Sequence, residues 1–387
     1  MNADNNILLD IKQLVKPGLE SLRNLFLARG HDIRLVGGCV RDYMLGMLPN
    51  DIDLCTDATP DEQVAIYQTH DIRYIETGLQ HGTVTVVLDG ETYEITSLRA
   101  DVETDGRHAI VAYTRDWYVD LQRRDFTMNA MSLTFDGELI DPFNGLTDLR
   151  KGLVAFVGDA EQRIQEDYLR ILRWFRFRGR FGMSMSYSAR RGIEKHAAGL
   201  EKISRERVWS EIGKILTGNY GPFIMIELHQ MGIGQHIGLG NTVANIVDAE
   251  AVHAITKNPV TIMVALYERE ASNILRKWKA SRAEIDLAVF LCTEQYSAIS
   301  PFNWMAVSGI SRELAMELAA LRGMDGFDRA VLAEWEVPVF PVTGDDIIAM
   351  GVKQGPEVGR LLSSLKMYWA SNNYTPTRYD LLGQLDK

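Results

Sequence analysis

Apolar positions in the first thirty residues recur at helical spacing. Leu9, Leu14, Val15, Leu19, Leu22, Leu25 and Phe26 fall on one face, and Gly30 ends the run. An opening helix is predicted over Ile7–Arg29. The period then shortens to two: Ile33–Val36, Asp51–Leu54, Ile72–Glu76, Thr83–Leu88, Thr92–Leu98 and Met131–Phe135 read as strands, with tight turns at Asp89-Gly90 and Asp136-Gly137. From Asp159 onward the strand pattern disappears. Amphipathic stretches broken by Gly or Pro replace it, at Ala160–Phe181, Ser188–Leu200, Arg205–Leu216, Pro222–Met231 and several more up to Leu385. An α/β part followed by an all-α part is expected, an α+β chain overall, with the boundary near residues 142–158, where Pro142, Gly145, Gly152 and Gly158 gather.

Composition narrows the class. The 387 residues are 46% hydrophobic and 24% charged with 11 Pro, which places the chain among globular proteins with room for more than one domain. No run of about 18 apolar residues is present and Met1–Asp10 lacks a basic n-region, so neither a membrane span nor a signal peptide is expected, and the expected compartment is cytoplasmic. Cys39, Cys55 and Cys292 are far apart without a CxxC pair, which predicts reduced thiols rather than a disulfide framework or a cysteine-ligated zinc. The dipeptides His31-Asp32 and His70-Asp71 each precede a predicted strand and read as two similar helix-to-strand junctions.

The net charge of −11 argues against a polyanionic partner until its distribution is considered. Between Arg150 and Lys214, fifteen basic residues face eight acidic ones, so this segment carries +7 and the remainder −18. A solvated helix face and a nucleic-acid contact are both compatible with such a segment.

Candidate chemistry begins at Leu35-Val36-Gly37-Gly38-Cys39-Val40-Arg41-Asp42, followed by Gly46 and Asp51-Ile52-Asp53-Leu54. A strand delivers the chain into two glycines, whose missing side chains let backbone N–H groups approach a polyphosphate, and the turn opens a helix whose N-terminus favours anions. Arg41 adds a cationic donor. Asp51 and Asp53, two apart in a strand pattern, are expected on one face, where paired carboxylates hold hard cations. Glu94, between Tyr93 and Ile95, is expected on the opposite face from them, where an exposed strand glutamate is one reading. Asp167 and Arg170, three apart in a predicted helix, can offer an acceptor and a fork of donors to a base edge, or form a surface ion pair. Arg173 and Arg176 continue the stripe.

These residues resemble the polymerase-β-type nucleotidyltransferases and, within them, the class II tRNA nucleotidyltransferases and bacterial poly(A) polymerases. The resemblance continues through Arg123-Arg124-Asp125-Phe126-Thr127-Met128-Asn129-Ala130, the hinge-like Asp141-Pro142-Phe143-Asn144-Gly145, and Glu166-Asp167-Tyr168-Leu169-Arg170, four ordered motifs within residues 35–180. It implies a nucleotidyltransferase head over 1–155, neck helices over 156–218 and a helical, RNA-binding body and tail over 219–387. It further implies Mg²⁺ at Asp51 and Asp53, catalysis by these with Glu94, and nucleotide binding by Gly38, Arg41, Arg124, Asn129, Asp167, Arg170, Arg173 and Arg176. Arg123 and Asp125 are equally compatible with structural pairing.

Residues 77–86 and 99–108 look like the CCA-adding branch, the second as a flexible loop beside the pocket, in which His108 is given no role. Glycine-rich Gly351–Arg360 resembles the family's C-terminal segment. The implied reaction is template-independent addition of C, C and A from CTP and ATP to the 3′ end of tRNA, bound by its acceptor arm, with no membrane and no obligate protein partner. Poly(A) polymerase, a small-molecule nucleotidyltransferase and a catalytically inactive RNA-binding relative are the alternatives.

Overall fold

The computed structural model describes residues 9–78, 82–104, 109–182, 184–240 and 245–385. Two compact units result: residues 1–207 with 230–237, and residues 208–229 with 238–387.

The first unit contains strands β1 (Ile33–Val36), β2 (Asp53–Thr56), β3 (Tyr74–Gly78), β4 (Thr83–Leu88), β5 (Glu91–Ser97), β6 (Arg99–Thr104), β7 (Ala109–Tyr113), β8 (Ser132–Leu133) and β9 (Leu139–Ile140). Seven of them form one sheet in the order β3-β4-β5-β2-β1-β8-β9, and β6-β7 form a separate pair. The large sheet is mixed. β2 and β5 run parallel with Asp53 opposite Glu94, and the other pairings are antiparallel. Alternation along β4 and β5 buries Val84, Val86, Tyr93 and Ile95 on the core side.

The helices of this unit include α1 (Pro17–Leu27), α2 (Gly38–Met44), α3 (Pro60–Thr69), α4 (Trp117–Gln122), α5 (Gly145–Arg150), α6 (Ala160–Glu166), α7 (Leu169–Phe181) and α8 (Tyr187–His196). The opening helix is shorter than expected. Pro17 disfavours helical geometry at Lys16, which is extended, and its fixed φ suits a first helical turn, so α1 starts there; residues 7–8 lie outside the described residues. α3 carries a capping box, Thr59 with Glu62, and its Gln63 donates to Ser97 Oγ at 2.8 Å while Ser97 donates to the Ala58 carbonyl. That buried relay fixes α3 to the end of β5.

Three further expectations change. β2 begins at Asp53, so Asp51 lies in the bend before the strand, and the two acids are not related by strand alternation. Residues 99–104, expected in a flexible loop, form β6, paired with β7; residues 105–108, with His108, lie outside the described residues, as do 79–81. The predicted helix Ala160–Phe181 is two helices, because Asp167 adopts an extended backbone (φ −152°, ψ 105°) between α6 and α7. The segment around Asp141–Gly145 is a tight helix cap: Asp141 accepts from the N–H groups of Gly145 (2.7 Å) and Leu146 (2.9 Å). Gly145 packs so closely that a Cβ there would collide with the Thr127 carbonyl.

The second unit is entirely helical among the described residues, as expected. At its centre, helix Pro259–Tyr267 buries every residue from Val260 to Tyr267, the signature of a core helix. Towards the C-terminus, Val342, Ile347, Leu365, Trp369 and Leu381 form a separate apolar cluster. No described helix is long and apolar enough to cross a membrane. All three cysteines are free thiols, as expected.

Candidate active site

The site grows from the turn between β1 and α2. Gly37 has φ 69° and ψ −124°, a conformation essentially closed to other residues, and a Cβ there would stand 2.9 Å from Arg124 Nη1. Gly38 follows, and its ideal Cβ position is 3.9 Å from an Asp53 carboxylate oxygen. The two-glycine turn, Asp53 and Arg124 therefore share one small region; the sequence spacing joined the glycines to Asp53, and the family resemblance added Arg124.

Asp53 opens β2 directly beside Glu94 of β5, and parallel pairing in register directs both side chains to the same face. Desolvation pushes the Asp53 pKa above the usual carboxylate range; Arg124 and Arg41 pull it down, and Glu94 and Asp51 push it up. Three carboxylates thus act on one another electrostatically. Among the described residues, no group of three His, Cys, Asp or Glu side chains is already closed around an ion position. The donor set, hard oxygens whose mutual repulsion a cation would relieve, fits a divalent ion.

Arg41 is buried and engaged. Its Nη1 donates to Asn129 Oδ1 at 2.7 Å, its Nε donates to Asp42 at 2.9 Å, and its guanidinium lies over Phe177 and Phe181 at 5.2 and 4.8 Å. Burial lowers its pKa, which Asp42 partly offsets. Arg41 thereby fastens α2 to α7. Asn129 supports the same region, donating to Asp125 at 3.0 Å while accepting from Arg41.

Arg124 donates through Nη2 to Asp120 at 3.1 Å in a salt bridge four residues apart on the chain. Arg123 pairs with the same Asp120 at 2.6 Å, and Asp125 pairs with Arg173 at 2.6 Å, so both have the structural partners the sequence allowed. Burial raises the Asp125 pKa, but Arg173, Asn129 and the Phe126 N–H outweigh it and hold the group below the usual range.

Asp167 and Arg170 are not two positions of one helix. Asp167 sits at the break, where Oδ1 accepts from the Leu169 N–H at 3.0 Å and caps α7, and Oδ2 accepts from Arg207 at 2.7 Å. Arg170 lies in the first turn of α7, held by Glu166 at 2.6 Å, by the Arg163 carbonyl at 2.9 Å and by the Arg123 carbonyl at 3.3 Å. Arg173 and Arg176 continue along α7. The basic stripe is not bare: Glu166, Asp125 and, for Arg180, Asp42 supply internal counter-charge.

Sequence reading missed Asp120, which is fully buried and serves two arginines. Its spacing, three and four residues before Arg123 and Arg124, was the available signal. Glu166 and Arg207, which hold the candidate base readers, were likewise unassigned.

A glycine turn against a carboxylate-bearing strand in a mixed sheet, continued by an arginine-lined helix, defines a nucleotidyltransferase of the polymerase-β type. Residues 33–155 match the model of the poly A polymerase head domain, and residues 182–238 match that of the probable RNA and SrmB-binding site of polymerase A. Over 98% of its length the chain is 37% identical to the mitochondrial CCA tRNA nucleotidyltransferase 1 of Mus musculus, covering 92% of that protein. It is 30% identical to the CCA-adding enzyme of Levilactobacillus brevis, with 92% of each chain covered. Among solved structures, the Bacillus stearothermophilus CCA-adding enzyme in complex with CTP superposes with a TM-score of 0.76 at 28% identity, over 93% of this chain and 94% of that one. The chain belongs to the CCA tRNA nucleotidyltransferase family.

Proposed function

We infer that this chain adds C, C and A to the 3′ end of tRNA without a template, using CTP and ATP and releasing pyrophosphate. The observation that carries the reading is the in-register parallel pairing of Asp53 with Glu94 beside the Gly37–Gly38 turn. It joins an anionic cation-holding edge to a cradle for phosphates, the two elements that nucleotidyl transfer needs. The family relatives named for CCA addition support the substrate assignment.

In this reading Asp51 and Asp53 hold Mg²⁺, with Glu94 as the adjoining third carboxylate. When bound, such ions supply an activated hydroxyl and neutralise the triphosphate and departing pyrophosphate. The Gly38 N–H faces the phosphates and Arg124 donates to them. Arg41 and Asn129 fix the wall behind, holding α2 in place rather than moving with the ligand. Asp167 accepts from the exocyclic amino group of cytosine or adenine, and Arg170 donates to the neighbouring ring acceptors, a pattern that uracil and guanine do not complement. The Glu166 clamp keeps Arg170 in one orientation, and Arg173 and Arg176 add positive charge along the same helix. The acceptor arm of tRNA is the proposed partner of the helical remainder, with head, neck, and body with tail at 1–155, 156–218 and 219–387. Three free thiols support a reducing compartment, with the cytoplasm proposed; the Mus musculus relative is named mitochondrial, and fractionation of cells producing the protein decides the matter.

The decisive experiment incubates the chain with a tRNA lacking its 3′ terminus, Mg²⁺ and each NTP in turn, followed by sizing of the product. Ordered gain of two C residues from CTP and then one A from ATP is expected. Long A tails without use of CTP would establish the poly(A) reading instead.

A further inference from the structure

Asp120 belongs to no motif named above, yet its position is tightly constrained. The residue is fully buried on α4. Oδ1 accepts from Arg123 Nη2 at 2.6 Å, from Arg123 Nε at 3.0 Å and from the Arg99 N–H at 3.3 Å, and Oδ2 accepts from Arg124 Nη2 at 3.1 Å. One carboxylate therefore opposes two guanidinium groups, and the trio keeps a net positive charge.

That charge has a direction. Arg124 Nη2 also points to Cys55 Sγ at 3.6 Å, its Nη1 packs against Gly37, and its Nε has no hydrogen-bond partner. The guanidinium is fixed by where Asp120 holds it rather than by saturation of its donors. The other arm leads elsewhere. Arg123 donates to the Arg99 carbonyl at 3.0 Å, where β6 begins, and its own carbonyl accepts from Arg170 Nη2 at 3.3 Å. The phosphate turn, the candidate base reader and the root of the β6–β7 hairpin are thus joined through one buried acid.

We propose that Asp120 is a positioning residue for nucleotide binding, acting through Arg124 at the phosphate turn and through Arg123 on Arg170 and the hairpin. The inference rests on the nucleotide-transfer reading above. It makes a prediction opposite in sign to simple electrostatics: removing an anion near a bound triphosphate should tighten binding, whereas loss of a positioning contact loosens it.

The test is a double-mutant cycle read by CTP affinity in the absence of RNA, on the full chain, with melting temperature followed alongside. Asp120→Asn is expected to weaken CTP binding about 10- to 100-fold, the range that loss of an outer hydrogen-bond partner has for metal-ligating side chains. Arg124→Gln should weaken it similarly, and adding Asp120→Asn to Arg124→Gln should cost clearly less than Asp120→Asn costs in wild type, the remainder being the arm through Arg123. Unchanged or tighter binding by Asp120→Asn overturns the proposal, as does full additivity in the cycle, which is what a purely structural role produces. If Asp120→Asn does not fold, Asp120→Glu keeps the charge and moves it by one methylene; a loss of CTP affinity with retained melting supports the proposal, and unchanged affinity overturns it. Transfer onto tRNA is scored separately. A wild-type chain that binds CTP but adds nothing to tRNA refutes the functional reading while the cycle still decides the role of Asp120.

Discussion

Replacing Arg173 with Met removes the cation that Asp125 faces. Asp125 Oδ2 accepts from two Arg173 nitrogens, at 2.8 and 2.6 Å, with side-chain exposures of 10% for the acid and 32% for the arginine. Breaking a fully buried pair costs about 3–5 kcal/mol, and an exposed pair contributes about 0–1 kcal/mol. With one partner a third exposed, solvent screening puts the loss near 2 kcal/mol, about a 30-fold change in an opening equilibrium. Hydrogen exchange on peptides from α7 reads that local equilibrium directly, which suits a chain of two compact units better than one global melting curve. The pH dependence follows from the sign of the shift. The folded Asp125 pKa is depressed, so its pairing contributes fully above the ordinary carboxylate value and is lost as pH falls through the folded pKa. In Arg173→Met the largest lowering influence is gone while Asn129 and the Phe126 N–H remain, so the group's pKa rises against wild type, and the deficit is full at neutral pH and shrinks as pH falls into the ordinary carboxylate range. Adding Asp125→Asn to Arg173→Met should recover most of the protection. A deficit that does not shrink as pH falls from 5 to 3, or a double variant as labile as the single one, refutes the reasoning.

Three other outcomes are expected. Asp53→Asn removes one of three crowded carboxylates, so the melting temperature should be no lower than wild type while nucleotide transfer is abolished; measurable turnover in the variant removes Asp53 from the cation site. Gly145→Ala places a methyl group against the Thr127 carbonyl and should destabilise the first unit by about 1–3 kcal/mol, seen as a lower thermal midpoint, because the backbone cannot yield as a side chain does. Burial pushes the Cys39 and Cys55 thiols up to about 11 and about 12, so at pH 8 iodoacetamide should label Cys292 first, with the other two protected until unfolding; mass spectrometry of the alkylated peptides reports the order.

The elements legible in the sequence were those with a strong local signal. The period-two runs of β4 and β5, the glycine turn after β1 and the helical second half all follow from neighbouring residues. What was not legible depends on partners far along the chain. The parallel register of Asp53 with Glu94 is a property of the whole sheet; alternation set Glu94 on the face opposite Tyr93 and Ile95, but gave the wrong relation between Asp51 and Asp53. The break at Asp167 was hidden because its neighbours keep helical spacing; the side chain, by capping Leu169, ends one helix and starts the next. Arg41 read as a phosphate donor on charge alone, whereas Asn129, Asp42 and two rings of α7 claim it in the fold. The spare cations of the Arg173 stripe similarly found acids brought near only by tertiary packing.

The side-by-side alignment of β2 and β5 also governs how this architecture tolerates change. Everything between Thr56 and Glu91, namely α3 with the β3–β4 hairpin, is an excursion that leaves the interior of the sheet after β2, adds two strands on one side and returns as β5 at a fixed register. Lengthening or trimming that detour at its outer turns leaves the two acids facing each other, whereas a slip of a single residue along β5 would turn Glu94 to the opposite face. Variation in length is therefore cheap in the excursion and forbidden in two short strands.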